Sequence, residues 1–209
     1  MKTTDTSKLA LITIDMQTDT LAGRKLEIPG TSEILPNLVR TLQHARKKDI
    51  FIIHIVRIYL EDGSNAEPIR KKMILSGNKI LSPGDDGTQI FRETLPDPSI
   101  RLDSENLLRG EPQYISEKEI ILFKPRWGAF YNTRLNDILQ AKNISSLCFI
   151  GVNFPNCPRT TIYEASERDY HIYAVKDAIS GIYPQGEKEL SNIGVVLMTT
   201  EEFIGSILV

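Results

Sequence analysis

The stretch FIGVNFPNCPRTTIYEASERDY, residues 149–170, holds an apolar run that stops at Gly151, an irregular turn with prolines at 155 and 158 on either side of Cys157, and then a helical pattern. Strand, turn and helix in that order form half of a βαβ unit, and the unit repeats outward along the chain. Upstream, LALITI (9–14), IFIIHIV (50–56) and EIILF (119–123) are buried-strand runs; SLCFIG (146–151) belongs to the quoted stretch, and HIYAVKD (171–177) and VVLM (195–198) follow it. Helical patterns fall at 31–49, 132–143, 157–169 and 186–194. In the first, Ile34, Leu35, Leu38, Val39 and Leu42 recur at helical spacing, Thr31 or Ser32 is the expected cap, and Pro36 is expected in the first turn. The pattern predicts one α/β domain over 1–209: three layers, α/β/α, around a doubly wound, mostly parallel sheet of six strands, Rossmann-like in its winding. Residues 57–119 are rich in turn signals, with a short helix possible over 66–76; so long a connection reads as a binding or lid segment.

The bulk composition narrows the function. With 209 residues, 41% hydrophobic and 25% charged, the chain reads as a soluble globular protein. A net charge of −2 and the lack of a basic run argue against a nucleic-acid partner. No apolar stretch is long enough to span a bilayer, so no membrane partner is expected. Two cysteines, Cys148 and Cys157, are too few for a disulfide framework and fit a reducing, cytoplasmic setting.

In an open parallel sheet, ligands bind beyond the carboxyl ends of the strands. Asp15 stands just past LALITI, Lys124 just past EIILF, and Cys157 past SLCFIG and its short loop. Each has an ordinary reading: an Asp there caps or turns, a Lys is a solvated charge, and a lone Cys is a small hydrophobe, as Cys148 inside its strand is. Cys157 differs because the proline after it favours the N-cap position, where the helix dipole lowers a thiol pKa.

At these residues the sequence resembles the isochorismatase-like cysteine hydrolases, a family that includes nicotinamidases, N-carbamoylsarcosine amidohydrolase and ureide hydrolases. LALITIDMQTD, KPRWGAFYNTRLNDIL and IGVNFPNCPRTTIYEASERDYHIYAVKDAIS carry the likeness, in order and at three strand ends. The resemblance implies Cys157 as nucleophile, Asp15 as general base and Lys124 as the cation that orients the pair. It also implies a cis peptide between Val152 and Asn153 and an oxyanion hole built from the N–H groups of Asn153 and Cys157. The implied reaction is hydrolysis of a small amide, ureide or N-carbamoyl compound through a thioester, without an organic cofactor. Ether hydrolysis on an isochorismate-like substrate and a non-catalytic, oligomeric binding role are the alternatives. The family further implies a homodimer or homotetramer.

Nicotinamidases of the family carry Asp and His metal ligands after the second strand. Here that region reads HIVRIYLEDGSN, with His54 inside the strand, no second His following, and Glu61 and Asp62 in a turn. No metal is therefore expected. The substrate-binding candidates are Gln17, Arg57, Arg126, Trp127 and Phe154, the last standing where relatives often have Thr; Arg159 reads as a surface arginine.

Overall fold

A computed structural model describes residues 5–206; the ends of the 1–209 unit, residues 1–4 and 207–209, lie outside the described residues. Seven strands form one sheet: β1 Leu9–Ile14, β2 Phe51–Val56, β3 Gln113–Ser116, β4 Glu119–Phe123, β5 Ser146–Gly151, β6 His171–Ile179 and β7 Val196–Met198. Their spatial order is β3-β4-β2-β1-β5-β6-β7, parallel throughout except for β3, which runs antiparallel to β4. The helices are α1 Thr31–Lys47, α2 Pro68–Leu75, α3 Ser104–Leu108, α4 Leu135–Ala141, α5 Cys157–Ser166, α6 Pro184–Asn192 and α7 Thr200–Ser206.

The central strands are apolar along their whole length because helices cover both faces. Side-chain alternation sends Ala10, Ile12, Ile14, Ile53 and Phe149 to one face, where Leu135 and Leu139 of α4, Ile162 of α5 and Leu190 of α6 pack. Leu9, Leu11, Ile52, Cys148 and Ile150 point the other way, onto Ile34, Leu38, Leu42 and Ala45 of α1 and Phe203 of α7. The result is the three-layer α/β/α sandwich expected from the alternating pattern. Among the described residues, no helix is long and apolar enough to cross a membrane.

Three expectations are corrected. The sheet has seven strands, not six: QYIS of β3 is an edge strand with every second residue exposed, so it carries no buried run to read. Helix α1 is capped by Gly30 in the left-handed region (φ 83°), not by Thr31 or Ser32. Pro36 consequently falls in the second turn, inside the helix, where it forfeits one backbone hydrogen bond. The 57–119 segment contains α2, α3 and β3 among its turns, and the helix possible over 66–76 forms as α2.

Strand register positions the site. Ile14 pairs with Ile55 on one side and Gly151 on the other, and Val56 pairs with Phe123, so β1, β4 and β5 end at one edge. The next residues are still held by the ladder: Asp15 N–H donates to Ile55 O, Lys124 N–H to Val56 O and Val152 N–H to Ile14 O. Strand order reverses between β1 and β5, with β2 to β4 laid down on one side and β5 to β7 on the other, a topological switch point of the kind at which doubly wound sheets bind ligands.

Candidate active site

Asp15 leaves β1 with φ 51°, a left-handed conformation that Asp tolerates at a cost of about 1 kcal/mol. Gly151 ends β5 with φ 119°, and a Cβ there would lie 2.3 Å from Ile14 O, so only glycine lets β5 lie this close to β1. The Val152–Asn153 peptide that follows is cis. Phe154 N–H donates to Ser180 O, and Asn156 N–H to Asn153 O, folding the turn back before α5. Asn156 is the N-cap and Cys157 the first residue of α5, one position inside the cap expected for it. Among the described residues, the N–H groups of Asn153 and Cys157 have no acceptor.

Lys124 joins the three strand ends. It is fully buried, and its Nζ donates to Asp15 Oδ2 at 2.9 Å, to Cys157 Sγ at 3.2 Å and to Arg126 O at 3.3 Å. All three ammonium protons are thereby used. Asp15 Oδ1 is buried and has no hydrogen-bond partner among the described residues, which leaves one carboxylate oxygen able to accept a proton. Burial pushes the Cys157 thiol up to about 12; the Asp15 carboxylate pushes the same way, and Lys124 only partly opposes them. The sequence reading of a thiol made acidic by a helix dipole is reversed here: the resting sulfur carries its proton.

The cavity at the thiol is small, about 30 Å³. Asp15, Cys157, Asn153 and Asn156 form its floor, while Arg57, Tyr59, Arg70 and Trp127 stand among its walls. The 57–119 segment thus lines the cavity of its own chain. No residue of α2, which carries Arg70, is fully buried; Met73 and Ile74 pack, partly buried, against the cluster of Tyr59, Ala66, Ile80 and Leu81.

The five substrate-binding candidates separate. Trp127 lines the cavity. Arg57 does too, but three of its five N–H donors are engaged: the guanidinium pairs with Glu67, donates to Tyr59 Oη at 3.0 Å and donates to Lys124 O at 3.3 Å. Gln17 does not face the cavity; its amide accepts from Arg57 N–H at 2.8 Å and donates to Arg57 O at 2.8 Å and Thr88 O at 2.6 Å, fastening the long segment to β1. Arg126 donates to Asn65 O at 2.8 Å and Pro125 O at 2.7 Å and stands outside the cavity wall. Phe154 is fully buried against the Tyr183 ring, 5.4 Å between centroids, on the far side of the turn. Arg159 pairs with Glu189 at 2.7 Å, half-exposed. Arg70 and Tyr59 went unnamed in the sequence reading; the only signal for Arg70 was its place in the short helix over 66–76.

His54 is a satisfied core residue. Nε2 lies 2.7 Å from Glu119 Oε1 and Nδ1 lies 2.9 Å from Thr13 Oγ1; because a carboxylate can only accept, Nε2 carries a proton, and Nδ1 is engaged with the Thr13 hydroxyl. Arg46 donates to both Glu119 oxygens, and these partners hold the Glu119 carboxyl down to about 2 despite its burial. With both ring nitrogens engaged, and Glu61 exposed beside Lys79, the residues after β2 do not fit the metal site of nicotinamidases.

A "probable inactive nicotinamidase" of Arabidopsis thaliana is 28% identical over 202 residues, 93% of each chain. The ureidoacrylate amidohydrolase of Yersinia enterocolitica is 28% identical over 193 residues, 83% of this chain and 75% of its own length. The crystal structure of an isochorismatase family protein from Desulfovibrio vulgaris superposes with a TM-score of 0.79 at 26% identity, covering 93% of this chain and 95% of that one. The isochorismatase domain matches residues 9–202. The chain belongs to the isochorismatase family of hydrolases.

Proposed function

We propose that this chain cleaves a carbon–nitrogen bond of a small amide, ureide or N-carbamoyl compound through a thioester at Cys157. The observation that carries the reading is the buried contact of Lys124 Nζ with both Asp15 and Cys157, beside an unpartnered Asp15 oxygen. A scaffold has no use for a buried acid, cation and thiol in mutual contact, since charges are expensive to bury.

The chemistry follows from which groups hold protons. The substrate carbonyl lies against the free N–H groups of Asn153 and Cys157. As sulfur attacks, Asp15 Oδ1 accepts the thiol proton, so no free thiolate accumulates. The tetrahedral oxyanion is held by the two N–H donors, each worth about 3 kcal/mol of barrier in such sites. The nitrogen leaves with the proton from Asp15, giving ammonia or an amine and a thioester. Water then attacks the thioester, Asp15 takes its proton, and the acid and the thiol are released. Throughout, Lys124 holds Asp15 in place and balances the charge forming on sulfur.

The relative named as a ureidoacrylate amidohydrolase supports this substrate class. The relative named as inactive raises the non-catalytic reading, against which the complete Asp15, Lys124 and Cys157 set weighs in this chain. The test is ammonia release from a panel of small amides, ureides and N-carbamoyl acids, wild type against Cys157→Ala. Turnover that vanishes in the variant is expected. Silence of the wild type across the panel, with hydrolysis of an enol ether instead, would replace this reading with the ether one.

A further inference from the structure

The charges around the cavity do not balance. Lys124 pairs with Asp15 and Arg57 pairs with Glu67, each a neutral couple. Arg70 also lines the cavity, yet among the described residues it has no acidic partner. Its one hydrogen bond there is a weak one, from Nη1 to Met73 Sδ at 3.4 Å, and its Nε is buried with no acceptor. A guanidinium offers five donors in a planar fork, and leaving the buried Nε unmet is unfavourable.

Trp127 sets where that fork stands. The Arg70 and Arg57 guanidinium carbons each lie 5.9 Å from the indole centroid. Arg57 has its hydrogen bonds supplied by protein; Arg70 does not. One is a structural post and the other an open receptor. A single unbalanced positive charge matches a single negative one, and a planar fork matches a planar carboxylate, which it binds with two parallel hydrogen bonds. A planar fork carrying one uncompensated charge favours a planar, singly charged carboxylate over a tetrahedral, doubly charged phosphate.

We propose that the substrate is a small monocarboxylic acid bearing the scissile amide or ureide, and that Arg70 binds its carboxylate while the carbonyl reaches Cys157. This rests on the hydrolase reading for the reaction and adds the class of molecule. Substrate closes the open wall by supplying the acceptor that Arg70 lacks.

The experiment compares N-carbamoylglycine with isobutylurea, its neutral isostere, in the wild type, Arg70→Gln and Arg70→Lys. The wild type is expected to prefer the acid in kcat/KM. Arg70→Gln is expected to lower the ratio of acid to isostere about 30-fold, and Arg70→Lys, which keeps the charge and loses the fork, by less. Hydrolysis with an unchanged ratio in Arg70→Gln would overturn the proposal and leave the hydrolase reading standing. A second arm needs no turnover: calorimetric titration of Cys157→Ala with N-carbamoylglycine, with and without Arg70→Gln. Weaker binding in the double variant supports the carboxylate site even if the wild type hydrolyses nothing. Equal binding, or none at millimolar acid, overturns it.

Discussion

Replacing Lys124 by Met tests the structural claim on which the site depends. The side chain is fully buried and its ammonium stands 2.9 Å from Asp15 Oδ2. At that separation and an effective dielectric of about 20, the pair attracts by about 6 kcal/mol. Lys124→Met keeps the volume and removes the charge, leaving a buried carboxylate whose other oxygen already lacks a partner. Breaking a buried pair in this way costs about 3–5 kcal/mol, a large share of the roughly 5–15 kcal/mol that holds a domain together. Asp15→Asn alone strands the ammonium instead. In the double variant Asp15→Asn/Lys124→Met neither charge is stranded, so its loss is expected to fall about 2–3 kcal/mol short of the sum of the two single losses. Urea unfolding at pH 7, followed by circular dichroism at matched m-values, reads all four proteins. A loss below about 1 kcal/mol for Lys124→Met, or strictly additive losses, would refute the claim that the two charges are coupled in the core.

Two further outcomes follow from local geometry. With burial and the Asp15 carboxylate holding its pKa above the ordinary value, Cys157 is expected to label with iodoacetamide more slowly than a free thiol and faster as pH rises above 8; complete labelling within minutes at pH 7 would contradict this. Because that pKa is raised on folding, its contribution to stability is complete below pH 9 and is lost as pH rises from 9 through 12. Gly151→Ala drives a Cβ to 2.3 Å from Ile14 O at φ 119° and is expected to cost about 3 kcal/mol or more, read as a fall in Tm; a Tm within a degree of wild type would show that β1 and β5 can part at that point.

What the sequence made legible, and what it hid, divides by whether burial or tertiary contact decides a residue's role. LALITI and SLCFIG read as strands because both faces are covered, so every position is apolar. QYIS did not, because an edge strand half open to water has no such run. The convergence of Asp15, Lys124 and Cys157 followed from the rule about strand ends and needed no side-chain detail. Gln17, two residues past Asp15, and Arg57, just past the second strand, invited a binding role, whereas the Gln17 amide ties the Arg57 backbone to the sheet and the Arg57 guanidinium pairs with Glu67. Arg70 was illegible for the converse reason: a helix with no buried residue gives no periodic clue to which side chain turns inward. The thiol was misjudged on magnitude, since a helix dipole is worth about 0.3–1 kcal/mol while full burial moves a pKa by several units.

The central claim is that Cys157 becomes acylated while Asp15 moves its proton, and one measurement reads this directly. Intact-mass analysis of protein quenched within milliseconds of mixing with the fastest substrate of the panel weighs the intermediate. The account predicts an adduct with the mass of the substrate's acyl group, mapped to Cys157, lost on treatment with hydroxylamine and absent from Cys157→Ala along with turnover. Hydrolysis that proceeds with no adduct and persists in Cys157→Ala would contradict it.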